Sequence, residues 1–448
     1  MAGGGSGSGT VTGNGLNCTL TAGTPSGTCT ATLDQGTAVS LTATATAGEF
    51  TGWSDVSCGT TSPCAFTMTA AKSLSATFEP PTLTVTTNAD SGAGSLRAAV
   101  DQANTTPGAD TITIAVGLSA ITLTSGQLDI TGALTIAGPA AGQTIDGNQN
   151  GRIFGVTAAN ANLTLENLTL TNARTTAGRI ANDCSSSSGQ GGAVCALGEL
   201  TLTNSTVADN TAAATGGGVY GHDTVSLTSS ILAGNTTGGS PDDCGMSSGS
   251  ATASTSLIQA TGACGVTEGQ NGNLIGQDPL LAALADNGCA TPSAGDGTCV
   301  LTHALTTGSP AIDAGSNPNH LTTDQRGRPR VQDAAVDMGA FESTQLGLTV
   351  TGGGKGEGTV TGNGLSCTLT AGTPSGLCTA TLVEGSAVSA TAAATTGSSF
   401  SGWTDATCQG TTNPCSFNLS AATTLTAAFG KSQYDLTVTG GGSGSGTV

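Results

Sequence analysis

Cysteine offers the most definite chemistry in this 448-residue chain, which contains fourteen of them. They fall into successive close pairs, which predicts seven local disulfides: Cys18/Cys29, Cys58/Cys64, Cys184/Cys195, Cys244/Cys264, Cys289/Cys299, Cys367/Cys378 and Cys408/Cys415. Metal binding is the alternative, but no Cys-x-x-Cys occurs and His222, His303 and His320 are scattered. An even number of cysteines in local pairs is typical of an oxidising compartment.

Carboxylates are the second group with possible chemistry. The densest charge in the chain lies between residues 313 and 342, and we expect it to form salt bridges in a cap over the last strands. The alternative is a calcium site built from some of Asp313, Asp324, Asp337 and Glu342, because Ca²⁺ prefers several carboxylate and carbonyl oxygens. No EF-hand spacing supports calcium, and no other cofactor is predicted.

Polysaccharide cleavage would need paired carboxylates, calcium ligands or a basic residue along one groove. Residues 82–345 contain no lysine, and Asp146 with Arg152 is the best polar pair. Asp209 and Asp223 are further groove candidates, because acids at matching positions of adjacent strands lie roughly 5 Å apart. The sequence does not assign these acids to one face. We therefore expect a non-enzyme, with polysaccharide cleavage as the alternative.

The elements that must position these groups are short strands. Glycine numbers 70, only 9% of residues are charged and 3% are aromatic. Apolar-alternating runs such as Leu-Thr-Leu recur between Gly, Asn and Asp, which predicts an all-β protein. The formal charge of −19 repels phosphate backbones, so no nucleic-acid partner is expected. No run approaches the roughly 18 apolar residues of a membrane-spanning helix.

Residues 3–78 and 352–429 are two copies of one module. Both carry a Gly-rich turn, two cysteines eleven apart, a Phe-x-Gly-Trp motif, a second cysteine pair and a final strand that ends in Phe. A module of this size has a thin core that needs disulfides to persist. Its tryptophan, Trp53 or Trp403, is expected to anchor that core, with stacking on a sugar as the alternative.

The shared pattern G-T-V-T … C … C-T-A-T … F-x-G-W … C … C … F resembles the divergent internalin-type B-repeat of bacterial surface proteins. The resemblance covers nearly all of each copy. It implies a β-grasp-like spacer or adhesive module and not an enzyme.

The two copies differ at their ends. The second opens with a Leu-Thr-Val-Thr strand at 348–351, whereas the first begins almost directly at its glycine run. After the second copy come Tyr-Asp-Leu-Thr-Val-Thr at 434–439 and then a segment identical to residues 3–11. One interpretation is a fragment of a longer tandem-repeat adhesin. The other is a strand donated to the open first module of the next molecule, which yields a head-to-tail fibre. The residues of that assembly strand are Leu436, Thr437, Val438 and Thr439.

Between the copies, Pro-Pro marks a linker, and residues 94–104 carry the one convincing helix, which Ser95 can cap. The segments 163–172, 200–210 and 225–235 align with one another, with starts 37 and 25 residues apart. The second interval is close to one coil of a parallel β-helix, in which stacked asparagines can satisfy backbone groups. A helix ahead of such strands can protect the first of them.

Five short motifs of this central region resemble the bacterial choice-of-anchor Q surface proteins over residues 82–343. They are GSLRAAV at 94–100, TIDG at 144–147, SPAIDAG at 309–315, DQRGRPR at 324–330 and VDMGAFE at 336–342. The first departs from the family's motif, with Gly94 for Cys and Ala98 for Glu. The resemblance implies a right-handed, pectate-lyase-like β-helix and no settled activity.

We therefore predict an all-β fold: a right-handed parallel β-helix with an N-terminal capping helix, flanked by two small disulfide-stapled β-repeat domains. The expected domains are a module at 1–79 that lacks its first strand, the β-helix with a C-terminal cap at 82–345, a module at 346–430 and a spare strand at 434–448. The expected function is that of a non-catalytic structural or adhesive protein, extracellular or on a bacterial surface. Its expected partners are other copies of itself or neighbouring repeats, and glycans; a polysaccharide-binding or polysaccharide-cleaving protein is the alternative.

Overall fold

The regular secondary structure that the chain forms is almost entirely β-strand. The computed structural model describes residues 2–447 apart from the following: Ser6, Gly48, 80–81, Pro107, 140–141, 177–182 and 290–298. One α-helix occurs among the described residues, so the predicted all-β class is confirmed. The chain divides into two compact units, one of residues 1–305 with 309–343 and one of residues 306–308 with 344–448.

The first module forms two sheets. Its strands are β1 (Ala2–Gly4), β2 (Ser8–Gly13), β3 (Leu16–Thr21), β4 (Thr24–Thr28), β5 (Ala38–Ala47), β6 (Glu49–Trp53), β7 (Cys64–Thr67) and β8 (Ser75–Glu79). One sheet has the order β4-β3-β2-β5-β7 and the other β1-β8-β6. Asn14 and Gly15 between β2 and β3 have positive φ (50° and 82°), which is the backbone of a tight two-residue hairpin. Alternate residues of β5, among them Val39 and Leu41, are buried.

The central region begins with a strand and the helix, and short strands then follow one another. The elements are β9 (Thr82–Val85), α1 (Leu96–Thr105), β10 (Ala109–Ile114), β11 (Ile121–Thr122), β12 (Leu128–Ile130), β13 (Ala133–Ala137), β14 (Gln143–Asp146), β15 (Phe154–Val156), β16 (Asn162–Glu166), β17 (Leu168–Thr171), β18 (Val194–Ala196), β19 (Glu199–Thr203), β20 (Thr206–Ala208), β21 (Thr211–Ala212), β22 (Val219–Gly221), β23 (Thr224–Thr228), β24 (Ile231–Ala233), β25 (Thr236–Thr237), β26 (Ser240–Pro241), β27 (Cys244–Met246), β28 (Ser250–Ser254), β29 (Leu257–Ile258) and β30 (Leu274–Ile275). A short 3₁₀ turn lies at Gln270–Gly272.

Most of these strands belong to three parallel sheets that the chain visits in turn. The first has the order β9-β10-β13-β16-β19-β23-β28, the second β11-β14-β17-β20-β24-β29-β30 and the third β12-β15-β18-β22-β27. The aligned segments of the sequence lie side by side in the first sheet, where Leu163 pairs with Leu200 and Leu200 with Val225. Their inward side chains stack in rows and form one continuous apolar core.

Helix α1 packs on this core at its first strands. Ser95 caps the helix, its side chain accepting the Ala98 N–H at 3.2 Å. Leu96, Ala99 and Val100 are buried on one face of the helix, in the same apolar cluster as β9 and β10.

Polar side chains at the turns continue the hydrogen bonding from strand to strand. The Asn210 N–H donates to Oδ1 of Asn235 at 3.0 Å, and the Asn235 N–H donates to Oδ1 of Asp243 at 2.9 Å. Asn167 and Asn204 hold a positive φ (54° and 47°) at the kinks between strands. The backbone N–H groups of Asn210 and Asn235 are thus satisfied by stacked side chains, whereas neither amide atom of the buried Asn204 side chain has a hydrogen-bond partner.

The second module repeats the first with a longer opening strand. Its strands are β31 (Gln345–Gly353), β32 (Glu357–Gly362), β33 (Leu365–Thr370), β34 (Thr373–Leu377), β35 (Thr379–Val383), β36 (Ala387–Ala394), β37 (Ser398–Trp403), β38 (Cys415–Asn418) and β39 (Thr423–Lys431). They form the sheets β35-β31-β39-β37 and β34-β33-β32-β36-β38. Strand β31 runs over nine residues, whereas β1 at the corresponding place has three.

Candidate functional site

The cysteines form seven disulfides, each between two cysteines that follow one another along the sequence. The bonds are Cys18–Cys29, Cys58–Cys64, Cys184–Cys195, Cys244–Cys264, Cys289–Cys299, Cys367–Cys378 and Cys408–Cys415. Four of them lie in the two modules, whose apolar cores are smaller than the core of the central region. Each short loop closed in this way stabilises the fold by very roughly 2–3 kcal/mol.

The acids proposed as calcium ligands lie in a closing segment, residues 309–343, and the chain itself provides their hydrogen-bond partners. Asp324 accepts the N–H groups of Arg326 and Glu342 at 2.8 and 3.0 Å, and it pairs with the Arg326 guanidinium. Asp313 accepts two backbone N–H groups, from Ala334 and Ala335. These contacts favour the structural interpretation of the cluster, and calcium binding stays a prediction.

The same segment lies along the second parallel sheet and contacts strands well before the last one. Gln325 accepts a hydrogen bond from Thr169 in β17 at 2.6 Å and donates one to Thr144 in β14 at 3.0 Å. Ala340 donates to the Thr206 hydroxyl in β20 at 3.2 Å. The segment expected to cap the last strands therefore extends along one face of the second sheet, where its side-chain and backbone groups bond to hydroxyls on several strands.

Glu342 is the most perturbed acid in the segment. It is 1% exposed, its Oε2 accepts the Asp337 N–H at 2.9 Å, and Nη1 of Arg330 lies 3.7 Å away. Burial, and then the neighbouring Asp337 carboxylate, raise the pKa of Glu342 to about 8. Burial also raises the pKa of Asp337. Each of these carboxylates therefore binds a proton more tightly in the folded chain than in the unfolded chain.

This environment predicts a pH-dependent stability. The folded pKa of Glu342 lies above its ordinary value of 4.5, so the folded chain holds the proton more tightly than the unfolded chain. The free energy of unfolding should fall as pH rises from about 4.5 to 8. In a Glu342→Gln variant, the free energy of unfolding should depend less on pH, and the variant should be more stable than the parent above pH 8. Denaturant unfolding at pH 5, 7 and 9 checks this, with the exposed Glu199→Gln as the control. The prediction would be contradicted if the free energy of unfolding depended on pH equally in the Glu342→Gln variant and the parent.

The pair suggested for catalysis, Asp146 and Arg152, is not brought together. Asp146 accepts hydrogen bonds from the Asn148 N–H and the Asn172 side chain. Arg152 is 2% exposed and donates instead to backbone carbonyls of the segment 184–191. The guanidinium therefore holds a loop in place, a role that composition and spacing could not reveal.

Asp209 and Asp223 do not form a carboxylate pair either. Asp209 follows β20 of the second sheet, and its exposed carboxylate lies 3.9 Å from Nε2 of the buried His303. Asp223 precedes β23 of the first sheet and accepts a hydrogen bond from Thr224 at 3.3 Å. Because the two acids stand beside strands of different sheets, they give no support to a glycosidase mechanism.

Both tryptophans serve the module cores. Trp53 and Trp403 are 7% and 2% exposed, and each indole N–H donates to a backbone carbonyl, at 3.0 and 3.1 Å. Phe50 and Phe400 pack edge-on against them, with ring centroids 5.3 and 5.5 Å away. Buried, hydrogen-bonded indoles are expected of core anchors and not of a sugar platform.

The segment 434–447, here called the tail, is exposed and forms no helix or strand. The side chains of Leu436 and Val438 are 90% and 57% exposed. Their counterparts in β31 of the second module, Leu348 and Val350, are 0% and 1% exposed. The same Leu-Thr-Val-Thr sequence is thus a buried strand in one place and an exposed extension in the other.

Comparison with known families identifies the modules. Residues 17–82 and 365–433 match the family model described as a divergent InlB B-repeat domain, which confirms the expected internalin-type repeats. No curated protein matches the chain. The repeats and the seven disulfides indicate an extracellular or surface protein of adhesion type. Among the described residues, no helix combines the length and apolar character that a membrane crossing requires.

Proposed function

We propose that this chain is a non-catalytic structural subunit of a bacterial surface or extracellular matrix, and that copies join head to tail through the tail strand. The proposal rests on the exposure of Leu436 and Val438, because the same Leu-Thr-Val-Thr sequence is buried where it forms β31. Exposed extended segments with alternating apolar residues tend to pair with the edge of another sheet. Such a contact joins two different surfaces and does not close on itself, so it propagates into a fibre.

The central region fits this role as a parallel β-helix. Three parallel sheets that the chain visits in turn, a continuous apolar core and a helix over the first strands all support that interpretation. We infer right-handed coiling, because crossovers between parallel strands are right-handed in nearly all proteins. The motifs at 94–100 and 309–342 support a relationship with the choice-of-anchor Q surface proteins. A polysaccharide-cleaving activity gains no support from Asp146, Arg152, Asp209 or Asp223.

Deleting residues 434–448 tests the proposal. The full chain should form filaments or long oligomers whose mean size grows with concentration, and the tail-less chain should remain monomeric. Because the tail makes no strand contacts within the chain, the deletion should leave the circular dichroism of the dilute, monomeric chain unchanged. Electron microscopy and light scattering provide the measurement. Polymers that persist without the tail, or a full chain that is monomeric at every concentration, would refute assembly through this strand.

A further inference from the structure

The first module contains a groove lined in part by residues of the segments 29–33 and 72–74, with a volume of about 150 Å³ and a lining that combines apolar and polar residues. Its aliphatic walls are Leu16, Leu33, Val39, Leu41, Met68 and Leu74. Leu16 and Leu33 are only partly buried there, although they pack against the module core. The groove is therefore a part of the core that lacks a covering element among the described residues.

In the second module, strand β31 occupies the position that corresponds to the groove of the first module. The counterparts of the groove walls, among them Leu365, Leu382 and Leu425, form one cluster with Leu348 and Val350 of β31. Leu382 is 5% exposed there, whereas its counterpart Leu33 in the first module is partly open to solvent. The second module thus shows what the groove accepts, which is a strand with apolar residues two positions apart.

The backbone contacts of β31 define how such a strand binds. It runs parallel to β39, with Leu348 opposite Thr423 and Val350 opposite Leu425. It runs antiparallel to β35, where Leu348 lies opposite Ala380. The Val350 N–H also donates to the Cys378 carbonyl at 2.8 Å.

In the first module these contacts are only partly made. Strand β1 pairs with residues 75–77 of β8, and no described strand pairs with residues 72–74. The counterpart of β35, residues 30–34, forms no strand. The difference follows from the missing partner, since the sequences are nearly the same: Cys-Thr-Ala-Thr-Leu occurs at 29–33 and at 378–382.

We propose that this groove is the binding site for the tail strand of a second copy of the chain, an inference that rests on the proposed function and specifies its acceptor. In the register of β31, Leu436 and Val438 occupy the places that Leu348 and Val350 take in the second module. The tail strand runs parallel to residues 72–74, and residues 30–34 become its antiparallel neighbour. Val438 then lies opposite Leu74, so the donated strand ends directly before Ser75, where Ala2 of β1 pairs.

The tail fits the groove by its sequence, because it repeats the Leu-Thr-Val-Thr of β31 and its Leu436 and Val438 are exposed. Lys72 lines the groove at the position of Thr423, and its ammonium group pairs with Asp55 of the same module.

A peptide of residues 432–441, labelled at its N-terminus, tests the site on the tail-less chain, which retains the groove. The parent peptide should bind, and binding should weaken roughly tenfold or more for an L436D/V438D peptide or for a Leu33→Asp receptor. The exposed Thr28→Asp on β4 is the matched control and should bind as the parent does. Hydrogen exchange should slow at residues 30–34 when the peptide is present. Equal binding to the Leu33→Asp and Thr28→Asp receptors, or no binding, would overturn the proposal.

The outcome separates this inference from the proposed function. Peptide binding in the groove together with a full chain that never polymerises would leave the site intact and refute the fibre. Filaments of the full chain together with no peptide binding to the groove would leave assembly intact and refute this acceptor.

Discussion

Replacing Arg152 with methionine is expected to destabilise the first unit by about 3–5 kcal/mol, because several buried carbonyls lose a charged donor at once. Its guanidinium donates to the carbonyls of Cys184, Ser188 and Gly191 at 2.9, 2.8 and 2.9 Å. Burial lowers the pKa of Arg152 to about 10, so the side chain still carries its charge at neutral pH. Methionine keeps much of the volume but offers no N–H group to these carbonyls.

Arg174→Met is the matched control, since Arg174 has an exposed side chain in the same region. Its effect on the free energy of unfolding should stay within about 0.5 kcal/mol. Denaturant unfolding gives the energies, and hydrogen exchange locates the change. Exchange should accelerate around residues 184–191 in the Arg152 variant. If the two variants are equally stable, Arg152 does not hold this loop.

The fold is the part of this protein that its sequence reveals best. Cysteines in close pairs bond to their neighbours, because a short loop leaves few alternatives once the strands have formed. The aligned segments at 163–172, 200–210 and 225–235 become adjacent parallel strands, since their inward leucines require the same register. Local periodicity and repetition suffice for both conclusions.

The sequence alone could not predict which side chains from distant segments contact one another. Arg152 suggested a partner for Asp146, yet the backbone carbonyls that accept from it lie more than 30 residues away in a loop. The pKa of Glu342 depends on burial beside Asp337, which only the packing of the closing segment creates. The groove is a similar case. Leu33 and Leu382 occur in the same local sequence, but β31 pairs with the strand of Leu382, whereas Leu33 has no such neighbour among the described strands.

The second large effect that we expect is complementation between two variants, one without the tail and one with an altered groove. When the two are mixed, the contact between tail and groove should form again. The tail-less chain keeps the groove of the first module, and the Leu33→Asp chain keeps the tail with Leu436 and Val438. Neither can extend by itself. In a mixture, the tail of the Leu33→Asp chain can enter the groove of the tail-less chain, but the resulting pair has no further functional end.

The central claim is that one tail and one groove form the contact between copies, and sedimentation velocity of this mixture tests it most directly. The parent chain should sediment as a broad distribution of polymers, each variant alone as a monomer, and the equimolar mixture as a dimer without larger species. A mixture that stays monomeric while the parent polymerises, or a single variant that polymerises alone, would contradict the account.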